Sequence, residues 1–274
     1  MHSRFSELKQ NPVYPLPRQE TGVVKPMPAR MPVRFEDVRF GYEALGRDVL
    51  KGIGFTIPAG QMVALVGQAG AGKSTCARLL QRLWMAEVGT VRIGAMDVKA
   101  LSMAVLRDLV AVVPQECSLH PDSSVREALR LGKPDATPAE VETAARQTQV
   151  HEVILRLPQG YGTAYETWRE HLTAGERQRI AMARALLGKA PVVILHETAS
   201  RLNTADEKAL QQTLLHLRHH RTVLLISHRL STIRMADNII VLEDGVIVEE
   251  GRHDHLVAWN DRYAHLIATG ALRN

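Results

Sequence analysis

The segment Gly67-Gln68-Ala69-Gly70-Ala71-Gly72-Lys73-Ser74 spells G-x-x-x-x-G-K-[ST], directly after the apolar run Met62-Val63-Ala64-Leu65-Val66 and before a stretch of helical character. A buried strand, a glycine-rich turn and a helix in that order constrain the fold more than any other feature of the chain. Glycines let consecutive backbone N–H groups face a phosphate, and the following helix presents its positive end. Lys73 can reach the β and γ oxygens, and the Ser74 hydroxyl can ligate Mg²⁺. The expected ligands are a nucleoside triphosphate and Mg²⁺, with Gly67 through Ser74 and Thr75 around the phosphates. A glycine turn preceding a helix by accident would need Lys and Ser at fixed offsets, and further segments in matching order argue against that.

The chain has 274 residues, 45% hydrophobic and 23% charged, enough to bury one substantial core or two modest ones. No apolar run approaches the roughly 18 residues of a membrane-spanning helix, and the first residues lack the core of a signal peptide. The formal charge is +5, but Lys and Arg alternate with Asp and Glu throughout. That pattern suits a solvated mixed surface and no nucleic-acid partner. Cys76 and Cys117 have neither metal-ligand spacing nor a disulfide framework, which fits a reducing cytosol, and Cys76 reads as a small core residue.

Prolines 12, 15, 17, 26, 28 and 32 make residues 1–32 an extended connector, leaving 33–274 as the folded domain. From Val33 to Ile57 apolar residues alternate between glycines, as expected of a small antiparallel sheet. Val91-Arg92-Ile93 and Val110-Ala111-Val112-Val113 read as short strands. Ser124-Val125-Arg126-Glu127 and Thr137-Pro138-Ala139-Glu140 read as capping boxes that open a helical insertion over about 117–175. Val192-Val193-Ile194-Leu195 and Thr222-Val223-Leu224-Leu225-Ile226 are continuous apolar runs typical of buried parallel strands, with a helix near 204–219 between them. The expected architecture is α/β: a P-loop NTPase core with a mostly parallel sheet, an N-terminal antiparallel β subdomain and an inserted α-helical subdomain. Ligands of such sheets bind beyond the strands' carboxyl ends, where Gly67, Gln115, His196-Glu197 and Ser227-His228 fall.

The ordered set of segments resembles the nucleotide-binding domain of ATP-binding-cassette (ABC) transporters of the exporter type, over about Val33 to Ile267. It comprises Tyr42, the phosphate loop, Gln115 after Val113-Pro114, Leu172-Thr173-Ala174-Gly175-Glu176-Arg177-Gln178-Arg179, the strand ending in Glu197, Ser200-Arg201-Leu202-Asn203, and Ser227-His228-Arg229. The resemblance implies ATP hydrolysis coupled to transport. Tyr42 would stack on adenine, Gln115 would offer an oxygen to Mg²⁺ or the attacking water, and Glu197 would be the general base. His228 would hold the γ-phosphate and Glu197 in register. Thr173, Ala174, Gly175 and Glu176 would complete the site of a second nucleotide-binding domain in a head-to-tail dimer. The connector resembles the stretch after the last membrane helix of an exporter, which implies a transmembrane partner and a place on the cytoplasmic side of a membrane.

The sequence departs from this pattern at four places. His196 stands where an Asp is usual beside Glu197, so a neutral imidazole replaces a charge facing the metal. The signature segment is Leu-Thr-Ala-Gly-Glu where Leu-Ser-Gly-Gly-Gln is usual, and Ala174 adds a methyl where backbone must approach phosphate. Asn203 replaces an Asp, and Tyr165-Glu166-Thr167-Trp168-Arg169 lacks the Val-Gly-Glu-x-Gly pattern. Two functions fit: an ATPase subunit that drives export, and a hydrolysis-poor, ATP-holding member of an asymmetric heterodimer. A cassette for nucleic-acid repair or translation is disfavoured by the connector and by the absence of inserted coiled-coil heptads.

Overall fold

The computed structural model describes residues 28–43, 46–114, 123–196 and 204–272. Strand β1 (Val33–Tyr42) is two-faced because its apolar residues alternate: Val33, Phe35, Val38 and Phe40 are buried and the residues between them exposed. One extra residue enters at Asp37, whose φ of +47 shifts the register. β1 pairs antiparallel with β2 (Arg47–Ile57) and β4 (Val88–Ile93), and β5 (Met96–Asp97) extends β4, giving the order β2-β1-β4-β5.

The second sheet has six strands in the order β10-β9-β3-β8-β7-β6. Its members are β3 (Met62–Val66), β6 (Val110–Val113), β7 (Val192–His196), β8 (Thr222–Ile226), β9 (Asn238–Glu243) and β10 (Val246–Gly251). Pairing is parallel from β9 across to β6, and antiparallel only between β9 and β10. β3 and β8 are buried at every residue, which is why their sequences are unbroken apolar runs. The β9–β10 hairpin has no counterpart in the sequence reading above, although Asp244-Gly245 marks it. Both residues have positive φ, +47 and +81, as a tight two-residue hairpin turn requires.

Helix α1 (Lys73–Leu80) lies under the interface of the two sheets, where Cys76, Ala77, Leu79 and Leu80 join a core with Phe35, Leu50, Val63 and Ile194. Helix α2 (Met103–Leu109) leads into β6. The opposite face of the large sheet is covered by α7 (Ala174–Leu187), α8 (Thr204–His220), α9 (Leu230–Ile233), α10 (His253–Trp259) and α11 (Arg262–Ala268), around Met182, Leu214, Ile233 and Tyr263. Helices α3 (Val125–Arg130), α4 (Pro138–Gln147), α5 (His151–Leu155) and α6 (Tyr165–His171) form their own core around the fully buried Trp168. Both expected capping boxes are present, and Pro138 opens α4.

Helix α7 belongs to two cores at once. Ala181, Met182 and Ala185 face the sheet, while Ile180, Ala183 and Leu187 face the helical layer. The start of α7 is thereby fixed relative to both layers.

Cys76 is fully buried, and desolvation pushes its thiol up to about 12. At pH 8 the native chain should leave Cys76 unmodified by a thiol reagent, and denaturation should expose it. Peptide mapping by mass spectrometry after labelling reads the difference, and rapid native labelling at this position would contradict the packing.

Candidate functional site

The carboxyl ends of β3, β8, β7 and β6 lie side by side because the strands are parallel neighbours. From them emerge the glycine loop at Gly67, Ser227 and His228, His196, and Pro114. Gln115, Glu197 and Asn203 lie outside the described residues, as do the connector residues 1–27 and Cys117.

The loop can form only with glycine at two of its positions. Gly67 has φ +145, and a Cβ there would sit 2.1 Å from the Leu242 carbonyl oxygen of β9. Gly72 has φ +107 as the N-cap of α1, and its Cβ would meet Leu50 Cδ2 at 2.6 Å. Between them the chain wraps Lys73, which is 6% exposed and donates from Nζ to the Gly67 and Gln68 carbonyl oxygens, each at 2.8 Å. Burial holds its ammonium below the usual lysine value. Gln68, Ala69, Gly70 and Ser74 are exposed, while Ala71, Gly72 and Thr75 are buried.

A cavity of about 270 Å³ adjoins the loop, lined by Tyr42, Arg47, Gly70, Lys73, Ser74 and Arg78 among others. The Tyr42 hydroxyl shares a 3.1 Å hydrogen bond with Thr75 Oγ1 and accepts another from Arg78 Nη1 at 3.1 Å. Its ring meets Phe40 and Trp84 edge-on, with centroids 4.9 and 5.3 Å away. Tyr42, the last residue of β1, is therefore a braced aromatic wall of the cavity. A larger cavity of about 660 Å³ lies by Gln61, Asp237 and Arg252, at the amino ends of the strands, away from the loop.

Arg47 and Arg78 do not figure in the sequence reading. Arg78 had a signal, since it stands four residues after Ser74 and so on the same helix face. Arg47 had none, because only the pairing of Arg47 with Tyr42 across β1 and β2 brings it there.

His196 ends β7 half-buried. Desolvation, then the charges of Arg78 and Lys73, hold its imidazole below the ordinary value, so it is neutral near pH 7. A neutral imidazole between two cations can accept a hydrogen bond but brings no negative charge to a metal. Among the described residues no group of three or more His, Cys, Asp or Glu could hold a metal ion. The exposed Ser74 hydroxyl remains available to Mg²⁺ carried on a nucleotide. His228 is exposed just past β8, behind Ser227, whose Oγ accepts from Arg229 N at 2.9 Å. Of the remaining histidines, His219 and His220 are exposed, whereas His151 is buried against the Tyr161 hydroxyl at 2.9 Å.

Thr173, Ala174, Gly175 and Glu176 do not line the cavity of their own chain. Thr173 is the N-cap of α7 and forms a third capping box: Glu176 N donates to its Oγ1 at 3.1 Å, and Glu176 Oε2 accepts from Thr173 N at 2.8 Å. Thr173 Oγ1 also donates to Asp206 Oδ2 of α8 at 3.0 Å, and Asp206 Oδ1 pairs with Arg179 Nη1 at 2.7 Å. Both charged partners are almost fully buried.

Comparison with known proteins places these features in a family. Residues 50–200 match the family model described as ABC transporter. The chain is 41% identical over 242 residues to the ATP-dependent lipid A-core flippase of Chromohalobacter salexigens, covering 88% of this chain and 42% of that protein. It is 39% identical over 261 residues to ATP-binding cassette sub-family B member 6 of Homo sapiens, covering 93% and 31%. It is also 43% identical over 238 residues to the mycobactin import ATP-binding/permease protein IrtA of Mycobacterium tuberculosis, covering 87% and 27%. A solved bacterial Atm1-family ABC exporter with ATP bound superposes with a TM-score of 0.81 at 38% identity, over 88% of this chain and 42% of that one. The chain thus spans less than half the length of these relatives.

Three histidines, His196, His216 and His253, are held below the ordinary value of about 6.5, in each case chiefly by burial. Between their lowered values and about 6.5 the unfolded chain binds more protons than the folded one. Their contribution to stability is therefore full above about pH 6.5 and is lost as pH falls through the lowered values. Thermal melts from pH 7.5 to 5 should show a falling midpoint, and replacing His216 and His253 by Gln should flatten that fall. An unchanged slope would show that these rings titrate normally.

Proposed function

The chain belongs to the ABC transporter family, and on that footing we propose that it binds and hydrolyses ATP as the nucleotide-binding part of an exporter, on the cytoplasmic side of a membrane. The observation that carries this reading is the glycine-built loop around Lys73, opening on a cavity walled by Tyr42 and free of carboxylates among its lining residues. Three cations there, Lys73, Arg47 and Arg78, suit a triphosphate, and the braced Tyr42 ring suits its base.

In this reading Ser74 and Gln115 would hold Mg²⁺, which would neutralise charge on the phosphates. Glu197 orients and deprotonates the attacking water, with His228 keeping it against the γ-phosphate. The segment Thr173 to Glu176 faces the nucleotide of a second nucleotide-binding domain in a head-to-tail dimer. That agrees with its absence from the cavity of its own chain. The transmembrane partner would be that of an exporter, joined through residues 1–32. Names among the relatives include a flippase and an importer, and the transported substrate is selected by membrane helices that residues 33–274 do not supply.

His196 favours a second reading, in which the chain holds ATP firmly but turns it over slowly beside a different partner. The imidazole that stands where an Asp is usual is kept neutral by burial and by Arg78 and Lys73, so hydrolysis should need more Mg²⁺ than a carboxylate site would.

Two experiments test the pair of readings. Lys73→Ala should weaken ATP binding severely, because it empties the centre of the loop of its cation; unchanged affinity by titration calorimetry would sink the phosphate-loop assignment. His196→Asp should tighten the apparent Mg²⁺ affinity and raise turnover by about 10- to 100-fold, the usual range for groups that orient metal-bound water. Equal Mg²⁺ dependence in steady-state ATPase assays of the two proteins would remove His196 from the mechanism.

A further inference from the structure

The Thr173 hydroxyl has one hydrogen to donate, and Asp206 takes it at 3.0 Å. Its lone pairs already receive Glu176 N at 3.1 Å. Two carboxylates therefore converge on one threonine: Glu176 accepts from its backbone N–H, and Asp206 accepts from its side chain. The positive end of α7, which would otherwise attract an anion, is offset by Glu176 in its first turn. Asp206 is anchored from below by buried Arg179, so it cannot swing away from Thr173 without breaking a 2.7 Å ion pair.

We propose that Asp206 is a specificity-determining residue that closes the exposed start of α7 to phosphate, so that this chain pairs through that face with a non-identical nucleotide-binding domain and not with a second copy of itself. The proposal rests on the head-to-tail reading above. In a dimer of identical chains both ATP molecules would face Thr173 with its proton committed, Ala174 with its added methyl and two nearby carboxylates. In a mixed dimer only the partner's ATP faces them, and the ATP held by Lys73 receives the partner's donors instead. The hydrogen-bond polarity makes this testable by a single substitution. In Asp206→Asn, Arg179 must keep the carbonyl oxygen, so the amide N–H₂ is left to donate to Thr173 Oγ1. The threonine hydrogen is then released outward, and one negative charge is gone.

The experiment measures ATP-dependent self-association of the full chain by sedimentation and light scattering, with Mg²⁺ and in the Glu197→Gln background that preserves ATP. Asp206→Asn should strengthen self-association at least about tenfold, the effect of one added charge-assisted hydrogen bond to phosphate. Glu176→Gln on top should strengthen it further. A thermal melt run alongside should show lower stability, because the buried Arg179 loses its counter-charge, so the gain cannot come from a sturdier fold. If Asp206→Asn leaves association unchanged or weaker while calorimetry shows ATP bound, Asp206 only braces α8 and the proposal is overturned. A third protein separates this from failure of the dimer reading: Thr173→Ser, Ala174→Gly, Glu176→Gln and Asp206→Asn combined. If that protein associates with ATP while Asp206→Asn alone gains nothing, the head-to-tail reading stands and the proposal falls. If it binds ATP and stays monomeric, both fall.

Discussion

Everything at the nucleotide end of the molecule depends on how tightly backbone packs against backbone at the turn after β3. A Cβ at Gly67 would stand 2.1 Å from the Leu242 carbonyl oxygen, so the loop is seated directly on β9. On its other side Gly72 is pressed against Leu50 of β2. The β9–β10 turn closes the same contact from a second direction, since Gly245 O accepts from Lys51 N at 2.9 Å. The small antiparallel sheet is thus fastened to the large sheet at the phosphate loop itself. That junction brings Tyr42 and Arg47, remote in sequence from Lys73, into one cavity with it.

Helix α7 is the second organising element, and its chemistry differs from that of the loop. It is apolar on two faces, yet carries Arg179 into the interior, where the charge is tolerable only because Asp206 meets it at 2.7 Å. Removing either partner would leave a buried unpaired charge, a loss of order 3–5 kcal/mol, although the intact pair adds little net stability over apolar packing. What the pair contributes is position. It joins α7 to the first turn of α8 and reaches on to Thr173, so the starts of α7 and α8 share one anchor.

Strong local signals made the fold readable from the sequence. Unbroken apolar runs located β3, β7 and β8, alternation located β1, and two Ser/Thr-x-x-Glu segments located the starts of α3 and α4. The hairpin of β9 and β10 is legible only through its turn, Asp244-Gly245, whose two positive φ angles let the strands pair antiparallel. Within the site, Lys73 and its loop were legible because their geometry is local. Arg47 was not, because its place follows from strand pairing, and neither was Asp206, whose contact with Thr173 spans 33 residues. The capping role of Glu176 was also readable: Thr173-Ala174-Gly175-Glu176 has the same form as the two segments that were recognised. Glu176 is thus the reciprocal partner of Thr173 N.

The electrostatics separate holding a nucleotide from turning it over. Lys73, Arg47 and Arg78 give the cavity cationic character on the side where ATP would lie, and none of these charges needs a metal to attract phosphate. Arg78 acts at both ends, donating to Tyr42 at 3.1 Å and raising the cost of a proton on His196. The same cations oppose a divalent metal, and the residue that would ordinarily offset them with a carboxylate is a neutral imidazole. In the proposed reading, binding would draw on Lys73, Arg47 and Arg78, while hydrolysis would lack the carboxylate that His196 replaces. In the proposed reading such a site favours a long-lived bound nucleotide, and at the start of α7 the carboxylates of Asp206 and Glu176 would place the corresponding bias on the side of a second nucleotide-binding domain.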